Sequence, residues 1–110
     1  MALLSIQTIK ASGIGPTYAS ATGGGDKVSL SAPNTFIHVK NGGGSTVTVT
    51  ITTQNNQVKG LTLPDRTVTV AAAGEQMIGP LDPALHSDIN AQASIAYSAV
   101  TSVTVGAIRL

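Results

Sequence analysis

Cysteine and tryptophan are both missing from these 110 residues. Without cysteine there is no disulfide framework, no thiol nucleophile and no thiolate site for zinc or an iron–sulfur cluster. Aromatic residues make up 3% of the chain, as Tyr18, Phe36 and Tyr97. Charged residues make up 10%, against roughly 25% in an average soluble domain. With a net charge of +1 and a pI near 8.1, strong attraction to nucleic acid or an anionic membrane is not expected. The opening Met1-Ala-Leu-Leu-Ser-Ile6 has no basic residue ahead of its apolar run, so no export signal is read there. No stretch reaches the roughly 18 apolar residues of a spanning helix. Low charge, a mean hydropathy of +0.25 and many β-branched residues oppose disorder.

What is present is alternation. In Ser45-Thr-Val-Thr-Val-Thr-Ile-Thr-Thr53, Val47, Val49 and Ile51 fall on one face and threonines on the other. A period of two in Cβ-branched residues predicts a half-buried strand. The same rhythm places Val28, Leu30 and Ala32 inward in 26–32, and Val68, Val70 and Ala72 inward in 66–72. It predicts one face for Ile89, Ala91, Ala93, Ile95 and Tyr97 in 89–99, and for Val103, Val105 and Ala107 in 102–109. Thr35-Phe-Ile-His-Val-Lys40 is apolar on both faces, as a central strand should be.

Turn-forming residues fall between these runs, at 23–26, 32–34, 41–44, 54–57, 63–65, 73–74 and 79–80. Asn41-Gly42 predicts a hairpin joining 35–40 to 45–53. Pro83 to Ser87 has room for one helical turn. The expected fold is all-β: a single antiparallel β-sandwich, immunoglobulin-like or jelly-roll-like, over residues 26–110. Residues 1–25 read as an extended N-terminal arm or edge strand with a Gly-rich loop. An arm that orders on a neighbouring subunit is the second reading of that segment.

Candidate chemistry is sparse. The acids are Asp26, Asp65, Glu75, Asp82 and Asp88, and the histidines are His38 and His86. Only Asp82-Pro-Ala-Leu-His-Ser-Asp88 gathers several groups, and His86 with Asp82 and Asp88 is the one conceivable metal set. Ser87 beside them does not make a triad, which depends on spatial geometry and not on adjacency. Asp82 and Asp88 are expected instead to accept backbone N–H groups in turns. His38 is expected as a half-exposed packing residue, because no second ligand stands two residues away. Gly13-Ile-Gly-Pro16 and the Gly-Gly-Gly runs at 23–25 and 42–44 lack the partners of nucleotide loops. Lys10, Lys27, Lys40, Lys59, Arg66 and Arg109 are scattered singly, with no stacking platform for nucleic acid. The expectation is a non-enzymatic protein with no catalytic, cofactor-binding or metal-binding residues. A surface so poor in charge suits one covered by neighbours.

Three stretches carry a family likeness: 36–51 (Phe36-Ile-His-Val-Lys-Asn-Gly-Gly-Gly-Ser-Thr-Val-Thr-Val-Thr-Ile51), 67–80 (Thr67-Val-Thr-Val-Ala-Ala-Ala-Gly-Glu-Gln-Met-Ile-Gly-Pro80) and 95–105 (Ile95-Ala-Tyr-Ser-Ala-Val-Thr-Ser-Val-Thr-Val105). Their pattern of strands and turns resembles the small β-sandwich head proteins that decorate the capsids of tailed bacteriophages. That resemblance implies a cement subunit on the virion exterior, bridging copies of a major capsid protein and meeting its own copies, as trimers for example. The low net charge and scattered cations separately give no expectation of a nucleic-acid or membrane partner. A head–tail connector or tail subunit is the alternative within the same class. A carbohydrate-binding β module, using Tyr18 or Tyr97 as its platform, is the alternative outside it.

Overall fold

The computed structural model describes residues 2–54, 57–58 and 60–110. Asn55 and Asn56 of the expected 54–57 turn, and the cation Lys59, lie outside the described residues. In chain order the strands are β1 (Ala2–Leu3), β2 (Ile6–Thr8), β3 (Ala19–Ser20), β4 (Asp26–Ser29), β5 (Thr35–Asn41) and β6 (Val47–Ile51). They continue with β7 (Gln57–Val58), β8 (Leu61–Thr62), β9 (Arg66–Val70), β10 (Glu75–Ile78), β11 (Gln92–Tyr97) and β12 (Val103–Arg109), with one helical turn, α1 (Pro83–His86), before β11.

Two sheets face each other as a β-sandwich. One runs β1-β4-β11-β6-β9; the other runs β10-β5-β12-β2, with β3 also on β12, and β7-β8 is a separate small hairpin. Val28, Val49, Ile51, Val70, Ala93 and Ile95 from the first sheet meet Ile37, Val39, Val103, Val105 and Ala107 from the second, all essentially buried. Alternation is the cause: β4, β6, β9 and β11 turn Val, Ile or Ala inward and mostly Thr, Ser or other polar side chains outward. Burying each such Val or Ile contributes about 1.5–3 kcal/mol relative to leaving it in water.

β5 is central, between β10 and β12, as its two-sided apolar pattern requires. The Asn41-Gly42 hairpin is not formed. β5 and β6 belong to opposite sheets, so residues 42–46 are a crossing between layers. Asn41 replaces the hairpin turn with a clamp, its side-chain amide donating to the carbonyls of Ser45 (2.7 Å), Val70 (3.3 Å) and Ala71 (3.3 Å). Its Oδ1 accepts the Gly43 N–H at 3.0 Å.

Two inward assignments also change. Ile89 is 99% exposed and Ala91 has φ 59°, so neither lies in a strand. The reason is Asp88, whose Oδ1 accepts from the N–H groups of Asn90 (2.8 Å) and Gln92 (3.1 Å) and bends the chain into a turn. Ala72 is exposed because β9 ends at Val70 and the Gly74 N–H closes on the Ala71 carbonyl at 2.9 Å.

Residues 2–8 sit on the chain's own sheets. β1 pairs in parallel with β4 and β2 in parallel with β12. The segment therefore steps from one layer to the other and drops Leu4 into the core between them.

Candidate functional site

The N-terminal segment closes one side of the sandwich, and the opposite side is open. There β9 and β10, joined by the 71–74 turn, are the two sheet edges. Thr52 N–H bonds Ser94 O and Ser98 N–H bonds Thr48 O, so these even-numbered residues of β6 face β11. By the two-residue period of an antiparallel ladder, Val47, Val49 and Ile51 bond to Val70, Val68 and Arg66. Thr67 and Thr69 are left with backbone groups pointing outward. On β10 the bond from Asn41 N–H to Gly74 O fixes the same parity, leaving Glu75 and Met77 outward.

A groove of about 410 Å³ opens beside this edge, lined by Thr53, Leu63, Asp65, Arg66, Leu85 and His86. It adjoins a second hollow along β10 that shares Arg66, Leu85 and His86. Asp65 of the groove and Asp82 of the hollow both serve the backbone: Asp65 accepts the Thr53 N–H at 2.9 Å and Asp82 caps α1 through the Ala84 N–H at 2.9 Å. His86 is buried, with Nδ1 3.1 Å from the Thr52 carbonyl. Arg66 makes no salt bridge among the described residues. Asp82, His86 and Asp88 are therefore not brought together, since Asp88 is held elsewhere by Lys27 Nζ at 2.7 Å. Among the described residues no three His, Asp or Glu side chains gather as a cation site.

His38 departs from its expected half-exposed state, at 5% exposure. The cover is Tyr18, whose hydroxyl lies 2.7 Å from His38 Nδ1, with the two rings edge to face at 5.4 Å. Lys40 Nζ stands 4.1 Å from the Tyr18 ring centre, and Glu75 Oε1 is 3.5 Å from His38 Nε2. Gln7 ties down the preceding residue, giving its Nε2–H to Thr17 O (2.8 Å) and taking Thr17 N–H (2.7 Å). Gly106 admits this strap: a Cβ there would meet Thr17 O at 3.0 Å and the Tyr18 ring at 3.1 Å. Sequence reading missed this cluster because its members come from the strap, β5 and β10. A tyrosine preceded by small residues and a glycine within a strand were its only traces.

Tyr97 donates to buried Asp26, and burial, with the Asp26 carboxylate second, pushes its phenol above the ordinary range. Tyr18 and Tyr97 are thus both engaged within the chain through their hydroxyls.

Large apolar side chains left in water are unevenly placed. Ile9, Leu61, Ile89 and Leu110 are 42%, 70%, 99% and 68% exposed. The ladder registers put these four at one pole, while Leu3 on β1 and Met77 on β10, 59% and 65% exposed, lie on the two flanks. Ile9 N–H bonds Arg109 O at the end of β12, and Leu61 is in the hairpin between β6 and β9. Ile89 precedes β11, and Leu110 follows β12. The opposite pole, at 42–46, 71–74 and 98–102, carries only Gly, Ala, Ser, Thr and Val. No helix among the described residues is long and apolar enough to cross a membrane. Comparison with family models, with curated proteins and with solved structures returned no match.

Proposed function

We propose that this protein is a non-enzymatic virion component, a capsid decoration or cement subunit that binds the outside of a major capsid protein lattice and stiffens the shell. The observation that carries the reading is the gathering of Ile9, Leu61, Ile89 and Leu110, four of the six exposed large apolar side chains among the described residues, at one pole. Isolated exposed apolar residues are ordinary, but several at one pole of a chain with few charges fit a face meant to be covered. The sparse charge and the likeness of 36–51, 67–80 and 95–105 to decoration proteins support the same conclusion. Each contact is small, and many copies on a lattice supply avidity.

The test is co-sedimentation of the purified protein with virion shells stripped of minor proteins. Wild type should pellet with the shells at a fixed copy number per shell subunit. Ile89→Asp and Leu61→Asp, both exposed and remote from the core, should keep the native circular-dichroism spectrum and lose most of that binding. A protein that never pellets with shells, or whose two variants bind like wild type, overturns the reading. Rings assembled by the protein alone would move it to the connector alternative.

A further inference from the structure

We infer that Asn41 is a latent deamidation site which the fold holds shut, and that modification there prevents the corner between the sheets from closing again. The inference is independent of the functional reading above. Asn41 is followed by Gly42, the neighbour that leaves the backbone nitrogen most free to reach an asparagine side chain, because it has no Cβ. In that reaction the Gly42 nitrogen bonds to Asn41 Cγ and the Cγ–Nδ2 bond breaks. Nδ2 leaves as ammonia, taking the proton lost by the Gly42 amide. Water then opens the cyclic imide at one of its two carbonyls, leaving aspartate or isoaspartate.

The folded corner blocks each requirement. The Gly42 N–H is committed to the Ser102 carbonyl at 2.8 Å. The leaving nitrogen donates to Ser45 O, Val70 O and Ala71 O, and Oδ1 is held by the Gly43 N–H. Asn41 is 2% exposed, so water has little access. Gly42 has little room to rotate, since even a Cβ would meet Ser102 O at 3.2 Å. Asn34 and Asn90 present the reverse case. Both are exposed, but Thr35 and Ala91 follow them, and a side chain on the following residue hinders the attack.

The product cannot take the place of the amide. A carboxylate would keep one oxygen on the Gly43 N–H but put the other, an acceptor, where the donor Nδ2 meets the carbonyls of Ser45, Val70 and Ala71, a buried and repulsive arrangement. Isoaspartate would also add a backbone carbon between β5 and the crossing. A chain that opens at this corner long enough to react is thereby removed from the folding population.

The experiment incubates the whole protein in mildly alkaline buffer with and without denaturing urea, and follows each asparagine by peptide mass spectrometry. In urea Asn41 should convert ahead of Asn34 and Asn90. In native buffer the order should reverse, with Asn41 slower than in urea by about a hundredfold or more, because attack must wait for local opening. The native rate should rise on warming in step with hydrogen exchange of the Gly43 amide. Chains aged in urea should fail to regain the sheet spectrum on dilution, while briefly unfolded chains regain it. Equal Asn41 rates in the two buffers, or aged chains that recover the native melting temperature, overturn the inference.

Discussion

Tyr97 gives its phenolic hydrogen to Oδ2 of Asp26 across 2.8 Å, joining residues 71 apart in sequence at the ends of β11 and β4. Asp26 is wholly buried, and Oδ2 also takes the Thr22 N–H at 3.3 Å. Tyr97→Phe removes the stronger of the two donors and should cost about 1–3 kcal/mol, the range for a buried acceptor losing a partner. The sign with pH follows from the raised phenol. Its contribution is fully present below the ordinary tyrosine value of 10.0 and declines as pH rises above it. Wild type should therefore lose stability in alkali more steeply than Tyr97→Phe, as measured by urea unfolding across that pH range.

Lys27 and Asp88 give the acid limb. The Lys27 hydrogen bond, first among the causes, holds the Asp88 carboxyl below its ordinary value of 3.8. A depressed carboxyl stabilises the native state above that ordinary value and loses the contribution as pH falls through the lower native one. Asp88→Asn keeps an oxygen for the Asn90 and Gln92 N–H groups but removes the charge. Its melting temperature should lie below wild type at neutral pH, and the two should converge in strong acid. A gap that persists unchanged in acid would contradict this account.

Gly106 sets how closely residues 17 and 18 lie on β12. Gly106→Ala pushes a methyl group against Thr17 O and the Tyr18 ring, at a cost of roughly 1–3 kcal/mol in line with other overpacked sites. The strap should yield before the sandwich does. Cleavage after Lys10 by trypsin should accelerate in the variant while the amides of β5 and β12 keep their exchange protection.

Edge parity makes a finer prediction. A proline at Thr69 removes an outward N–H, whereas a proline at Val68 removes one that bonds to β6. Val68→Pro should therefore be the worse of the two by about 1–3 kcal/mol in urea denaturation. Equal damage would mean that the ladder assigned to β6 and β9 is wrong.

Much of the architecture could be read from local rules. Period two placed Val47, Val49, Ile51, Val103, Val105 and Ala107 inward, and two-sided apolarity placed β5 at the centre of its sheet. Asp82 and Asp88 bind backbone N–H groups, as their turn-like surroundings implied. The errors came where a side chain overrode the rhythm. Asp88 bent Ile89 and Ala91 out of line, and Asn41 turned a hairpin signal into a crossing. The Tyr18–His38 contact was illegible for a different reason: it depends on which strand lies beneath the strap, and strand order leaves no local trace. The open edge at β9 and β10 is hidden from sequence on the same ground.

The order of the strands also bears on how the molecule is made. β4, β5 and β6 alternate between sheets, as do β9 to β12, so most ladders join segments far apart in the chain and few form early. Such topologies fold slowly, on the scale of about milliseconds to seconds. β2 pairs with β12, so residues 6–8 wait for that ladder until residues 107–109, far later in the chain, have been made. Until then the β5 edge that awaits β12 stands unpaired, and the growing chain stays adhesive for as long as β12 is missing.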